Sequence, residues 1–161
     1  MAGYTTAFCD LEWADRYFQE RTNSGNWIDA STEEKNAALA TATRDIARYS
    51  TFTETVYVNG KPQTQSFVYA YDGSETRVIP DKLKEACCEQ AIYKLSVNRL
   101  DAIETTRAGI ASAKGVVFDT NAIPDQLSDE CIDLLMLMGA SVDAAAGGNS
   151  MNWMRTERIE R

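Results

Sequence analysis

The chain contains no histidine, so the side chain that most often serves as a general base or a metal ligand is missing. Its four cysteines are Cys9, Cys87, Cys88 and Cys131, and no pair has the C-x-x-C spacing of a zinc or redox site. Cys87 and Cys88 fall in an apolar helical pattern, where a buried structural thiol is a better interpretation than a nucleophile. We therefore expect neither thiol catalysis nor a metal site.

Carboxylates are the other side chains that could do chemistry, and they occur in three groups on predicted helices. The groups are Glu33 with Glu34, Glu85 with Glu89, and Asp129 with Glu130 and Asp133. Each falls on an outer face or in a first helical turn, where solvent and the helix dipole account for it. A hydrolase that uses two carboxylates stays open as an alternative, although no pair is singled out. With no phosphate-binding glycine loop and no G-x-S-x-G elbow, the sequence predicts no enzyme and no cofactor.

The balance of charge opposes nucleic-acid binding as the main activity. The chain of 161 residues has a formal net charge of −8 and a pI of about 4.6, whereas affinity for a phosphate backbone depends on Lys and Arg. No apolar run approaches the roughly 20 residues of a membrane span, and the N-terminus lacks the pattern of a signal peptide. We expect one domain, in the cytosol or in an assembly built there, with no membrane partner.

Two helices with clear capping signals organise the first half of the chain. Asp10 is a good N-cap for a helix that continues to about Arg21. Ser31 and Glu34 form a capping box, and the helix that they open is expected to end near Tyr49. Apolar residues at helical spacing predict that both helices pack into one core.

Residues 54–72 are predicted to form a β-hairpin between the second and third helices. The runs 55–58 and 66–71 alternate and are rich in β-branched and aromatic residues. Asn59, Gly60 and Pro62 lie between them. Because proline cannot donate to a β-ladder, we expect a loop longer than two residues.

The aromatic side chains of this hairpin allow two interpretations. They are Tyr57, Phe67, Tyr69 and Tyr71, and the last three share one face of a strand. In one interpretation they stack nucleic-acid bases, with Lys61 and Arg77 nearby. In the other, this face packs on the helices, and this interpretation is favoured because two cations are too few for an electrostatic groove.

Two further helices are predicted in the second half. Pro80 is expected at the first position of the third helix, where its missing N–H costs no hydrogen bond. A similar Ile-Pro-Asp sequence at 123–125 predicts the same kind of start for the fourth helix. That helix should end at Gly139, with a weak extension from Val142 to Ala146. Residues 101–121 predict one or two short strands between these helices.

The segment 147–161 is predicted to be a tail that binds a partner. Gly147 and Gly148 make a flexible joint. The docking residues predicted beyond it are Met151, Trp153, Met154, Arg155, Arg158 and Ile159. Large apolar side chains outside a core usually mark a partner surface. The alternative is that the tail folds back and that Trp153 caps its own domain.

Together these elements predict a mainly α, four-helix-bundle-like single domain over residues 1–146. This domain has an inserted antiparallel β-hairpin and a second short β element, and an extended C-terminal tail follows it. The motifs are helix-start and packing signals without a chemical signature.

Several of these motifs follow one another in a recognisable order. The run FCDLEWADRYF at 8–18 comes first, and Trp27, STEEK at 31–35, ATRDI at 42–46 and VIPDKLKEA at 78–86 follow. In this order they resemble the head–tail connector (adaptor) proteins of tailed bacteriophages, a pattern also labelled a DnaT-like single-stranded-DNA-binding domain. The resemblance covers about residues 4–142. The chain departs from it at QSFVY, 65–69, where family members often have a Gln-x-Leu-x-Phe/Trp-Pro-Arg run.

The resemblance implies a structural role in the neck of a virion, assembled in the cytoplasm of the host bacterium. Such adaptors form a ring, usually of twelve copies, beneath the portal protein. The ring extends the channel, through which DNA passes without specific binding, and offers a platform for the next tail-neck protein. The resemblance implies that the tail docks on the portal. It also implies that the hairpin contacts a ring neighbour or the tail side, with Tyr57, Lys61, Phe67, Tyr69 and Tyr71 as the contact residues. A single-stranded nucleic-acid-binding module that uses the aromatic hairpin is the alternative.

Overall fold

The computed structural model describes residues 7–70, 72, 74–97 and 125–143. Within these ranges the chain forms five helices and a three-stranded antiparallel sheet, so the described fold is rich in helix and has a small sheet. The helices are α1 Leu11–Gln19, α2 Gly25–Asp29, α3 Thr32–Tyr49, α4 Asp81–Ser96 and α5 Asp129–Leu137. The strands are β1 Ser50–Val58, β2 Lys61–Phe67 and β3 Ser141–Val142. The predicted β element at 101–121 lies outside the described residues.

The capping signals of the first half of the chain are confirmed. Asp10 Oδ1 accepts a hydrogen bond from the Trp13 amide at 2.8 Å at the start of α1. Ser31 and Glu34 form the capping box of α3, which ends at Tyr49 as expected. Both helix starts are therefore fixed by side chains adjacent in sequence.

The sequence does not predict α2, which begins at Gly25 within a polar stretch. Trp27 of α2 is buried, and its ring centroid lies 4.7 Å from that of Phe18. Its indole N–H donates to Asp15 Oδ1 at 2.8 Å. Helix α2 packs against α4, so the link between α1 and α3 contributes a large aromatic side chain to the core.

The hairpin loop is shorter than predicted, because a two-residue turn joins β1 to β2. Asn59 and Gly60 have φ values of 53° and 74°, and a type I′ turn requires positive φ at both positions. Pro62 lies opposite Tyr57, one pair beyond the turn, where an antiparallel ladder has a non-hydrogen-bonded pair. Because β2 is an edge strand, the missing N–H of Pro62 costs no ladder bond. The second strand is therefore Lys61–Phe67 rather than the predicted 66–71.

The predicted helical extension from Val142 is wrong, because the chain turns back after α5 and forms β3. Gly139 has a φ of 78°, and the Gly139 and Ala140 amides donate to last-turn carbonyls at 2.9 and 3.0 Å. This is a Schellman motif, so Gly139 ends the helix as predicted. Val142 then pairs with Ser50 of β1.

The two Ile-Pro-Asp sequences do not start their helices in the same way. Pro80 is the N-cap of α4, one residue before the position that was predicted for it. Helix α5 begins only at Asp129, and its N-cap Ser128 accepts a hydrogen bond from the Cys131 amide at 3.2 Å. The repeated Ile-Pro-Asp sequence is therefore not followed by the same kind of helix start in both places.

Helix α4 is the centre of the core, and α3 and α5 both pack against it. The side-chain amide of Gln90, which is buried, joins these elements. Its nitrogen donates to Asp45 Oδ2 at 3.3 Å and to the Gln126 carbonyl at 2.7 Å. Its oxygen accepts from the Ser128 amide at 2.9 Å. Because each of these buried polar groups has a partner, the network can hold α3, α4 and α5 in one arrangement.

Candidate interaction surface

The four cysteines are free and buried, and for Cys87 and Cys88 the apolar helical pattern predicts this. Cys9 Sγ lies 3.7 Å from Cys88 Sγ, and Cys87 Sγ lies 3.3 Å from the Thr43 hydroxyl. Burial raises the pKa of the Cys131 thiol, and a hydrogen bond with Cys9, together with burial, raises the pKa of Cys87. Thiols that stay protonated are poor nucleophiles, so Cys87 and Cys131 are suited to packing in the core.

Glu89 is buried, and the prediction of a solvated face is wrong for it. It is only 8% exposed, accepts a hydrogen bond from the Tyr17 hydroxyl at 2.6 Å and forms an ion pair with Arg21. Burial raises the pKa of Tyr17 to about 12, although the charge of Arg21 acts in the opposite direction. The three side chains tie α4 to α1 beside a cleft of about 600 Å³. The carboxylates that are exposed, as predicted, are Glu33, Glu34, Asp129, Glu130 and Asp133.

The most prominent surface feature is a hairpin arm, residues 53–66. Its residues are exposed, except for Glu54 and Val56, which are half-buried. A strand rises about 3.4 Å per residue, so the arm extends roughly 20 Å beyond Phe52. Tyr57 is 74% exposed near the tip, and Lys61 is exposed beside the turn. The arm thus presents an aromatic ring and a cation that no other described part of the chain covers.

The base of the arm is fixed by a cluster of four aromatic rings. The Phe52 ring centroid lies 5.7 Å from that of Phe67 and 5.0 Å from that of Tyr69. The ring centroid of Phe8 lies 6.2 Å from that of Tyr69. Phe67 is half-buried and Tyr69 is buried, so this face packs on the body, as the favoured interpretation holds. These packed rings are therefore not available for the predicted contact surface or for base stacking.

Arg77 is held over this cluster by protein groups. Its guanidinium carbon lies 4.2 Å from the Phe67 ring centroid, and its Nη2 donates to Glu54 Oε1 at 2.8 Å. Of the two cations that the sequence places near the hairpin, Lys61 is thus the one left at the tip. A groove for single-stranded nucleic acid needs positive charge gathered beside stacking rings, and the hairpin arm does not gather it.

A second surface, which the sequence reasoning missed, is a groove of about 570 Å³ at the base of the arm. We call it the basic groove. It lies between α3 and the chain that leaves β2, and its walls include Arg44, Ala47, Arg48, Val68 and Ala70. Arg44 and Arg48 are exposed and one helical turn apart. The spacing of the two arginines can be read from the sequence. The opposite wall, which includes Val68 and Ala70, follows the hairpin in the chain, and no local pattern predicts that it lies beside α3.

The predicted docking residues of the tail lie outside the described residues. They are Met151, Trp153, Met154, Arg155, Arg158 and Ile159. The same holds for the joint at Gly147 and Gly148 and for Tyr71 of the hairpin. Of the predicted contact residues, Tyr57 and Lys61 are exposed on the two strands near the turn. Because Tyr57 pairs with Pro62 and Lys61 pairs with Val58, their side chains lie on opposite faces of the arm.

Comparison with protein families, with curated proteins and with solved structures found no match. Within the described ranges, no helix is long and apolar enough to cross a membrane.

Proposed function

We propose that the protein is a structural, non-catalytic head–tail adaptor of a tailed bacteriophage. In this role its copies form a ring, expected to hold twelve, beneath the portal in the neck of the virion. The ring is assembled in the cytoplasm of the host bacterium and joins the capsid to the tail. The observation that carries the proposal is the hairpin arm, which is fixed at its base by the aromatic cluster and exposed at its tip. Such an arm, whose outer side chains add nothing to their own core, suits contact with another subunit.

The residues behind the resemblance support this proposal through their structural roles. Asp10 and Ser31 cap α1 and α3, and Phe18 packs against Trp27 in the core. The motifs thus belong to one helical body and follow the order that the family has. The finer fold assignment is part of the proposal: a four-helix-bundle-like body over residues 1–146 that carries the hairpin as an insertion.

The net charge of −8 supports a position beside a DNA channel. An acidic surface repels the phosphate backbone, so that DNA passes without specific binding. In this arrangement the hairpin arm faces a ring neighbour or the next tail-neck protein, and the tail 147–161 faces the portal.

The proposal is tested by mixing the purified chain with the portal protein encoded by the same phage. The full chain should co-sediment with assembled portal. A chain truncated after Gly147 should keep its helical circular dichroism and lose portal binding. Failure of the full chain to bind the portal contradicts the adaptor role, whereas full binding by the truncated chain contradicts only the docking of the tail.

A further inference from the structure

The basic groove is unusual in an acidic chain because its two arginines form no ion pair with a described carboxylate. Most described Lys and Arg residues form ion pairs with described carboxylates, and the exceptions are Arg16, Arg44, Arg48 and Lys61. Arg44 and Arg48 lie together in the groove, and the Arg48 guanidinium carbon is 5.4 Å from the Tyr49 ring centroid. Asp72 also lines the groove, where its carboxylate accepts hydrogen bonds from Ser74. The described lining side chains thus include two positive charges and one negative charge.

The walls between these cations are apolar. Val68 is 44% exposed, and Ala47 and Ala70 line the groove beside it. Leaving such a surface in water is unfavourable, and covering it removes apolar area from solvent. The occupant that fits the groove therefore carries carboxylates next to apolar side chains.

The outer face of α5 has this chemistry. Asp133, Met136 and Leu137 share it at i, i+3 and i+4, and Glu130 lies one turn before Asp133. Leu137 is 78% exposed and Met136 is 37% exposed. Asp133 forms no ion pair with a described residue, and it lies beyond the first turn, where the helix dipole no longer explains a carboxylate. We call these four residues the acidic face of α5.

The basic groove and the contact of α3 with α4 involve different residues of α3. Ala47 of α3 faces the groove. Asp45 of α3 forms an ion pair with Lys94 of α4 at 2.7 Å, and α5 packs against α4. Arg44 and Arg48 form no ion pair with Glu130 or Asp133 of the same copy, and Leu137 is 78% exposed. One copy therefore does not seat its own acidic face in its own groove.

We propose that the acidic face of α5 from one copy docks in the basic groove of another copy. Glu130 and Asp133 pair with Arg44 and Arg48, while the apolar end of the face covers Val68. Because the two surfaces differ, the contact is heterologous and leaves one free surface of each kind, so that copies add until a ring closes. This inference rests on the proposed function for the closed ring and names the surfaces that join its subunits.

Charge reversal on each surface tests the contact by analytical ultracentrifugation of the full chain, from micromolar to millimolar concentration. Arg44→Glu and Asp133→Lys should each raise the dissociation constant for self-association about tenfold or more, because like charges then face each other. An equimolar mixture of the two variants should recover association, since the reversed charges are again complementary.

Two matched variants control for net charge and for folding. Arg16→Glu and Asp29→Lys make the same charge changes at exposed positions that belong to neither surface. They should associate like the wild-type chain, and all four variants should keep its circular dichroism. If the control variants weaken association as much as the test variants, net charge explains the effect and the proposed contact is wrong.

A wild-type chain that stays monomeric up to millimolar concentration overturns the inference. The inference is also overturned if neither Arg44→Glu nor Asp133→Lys weakens self-association. It is overturned as well if the equimolar mixture of the two variants does not recover association. Portal binding is measured separately. A monomer that binds the portal contradicts this contact and leaves the adaptor proposal standing. A chain that associates through these surfaces without binding the portal supports the contact and contradicts the adaptor proposal.

Discussion

Single buried polar residues decide how the helices of this protein are held together. Gln90 and Glu89 are adjacent on α4, and both are buried, although neither is apolar. Glu89 is stabilised by Tyr17 of α1 and by Arg21, which follows α1. These partners are far away in sequence, so the pattern around Glu89 gives no sign that the carboxylate is buried. Its burial therefore could not be predicted, whereas the buried cysteines follow an apolar pattern that could be read.

The Gln90 network predicts a large loss of stability for Gln90→Leu. The substitution leaves the Ser128 amide and the Gln126 carbonyl without the partners that Gln90 supplies. We expect the free energy of unfolding, measured by urea denaturation, to fall by about 2–4 kcal/mol. Gln19→Leu, at an exposed position of α1, is the matched control and should change it by less than about 0.5 kcal/mol. A small effect of Gln90→Leu would show that the network does not hold the helices.

The Tyr17 hydroxyl predicts a dependence of stability on pH in the alkaline range. Its pKa is raised from 10.0 to about 12 in the folded state, so the folded protein keeps this proton up to a higher pH than the unfolded chain does. The resulting stability is present below pH 10 and is lost as the pH rises towards 12. In Tyr17→Phe, the free energy of unfolding should therefore decline less steeply over this window. Equal slopes in the two chains would contradict the prediction.

Elements that are defined by local signals could be predicted, and those defined by distant pairing could not. Asp10 and Ser31 start α1 and α3 because their side chains cap amides only three residues away. In contrast, β3 exists because Val142 pairs with Ser50, and Pro62 is tolerated because β2 is an edge strand. The basic groove likewise needs two elements that only the fold brings together.

The hairpin arm predicts a specific effect of substituting its turn glycine. Gly60 has a φ of 74°, so Gly60→Ala is strained and should destabilise the arm by about 1 kcal/mol. This corresponds to roughly fivefold faster amide hydrogen exchange in residues 53–66, with the amides of α4 unchanged. The control is Gly25→Ala, because an added Cβ there has no neighbour within 4 Å and φ is not positive. Equal exchange in wild type and Gly60→Ala would contradict the turn geometry.

At the scale of the whole molecule, charge and surface shape oppose the nucleic-acid alternative. The net charge is −8, and Phe67 and Tyr69 are committed to the base of the arm. We expect no measurable binding of a single-stranded oligonucleotide, even at low salt, because phosphate contacts require clustered cations. Salt-dependent binding that Tyr57→Ala abolishes would reverse this conclusion.

The adaptor proposal treats the molecule as one repeating unit with an arm, a basic groove and an acidic face. Its most direct test is electron microscopy of the full chain mixed with the portal protein of the same phage. We predict a ring of copies bound beneath each portal, continuous with its channel. Portal particles that carry no added ring would contradict the adaptor proposal.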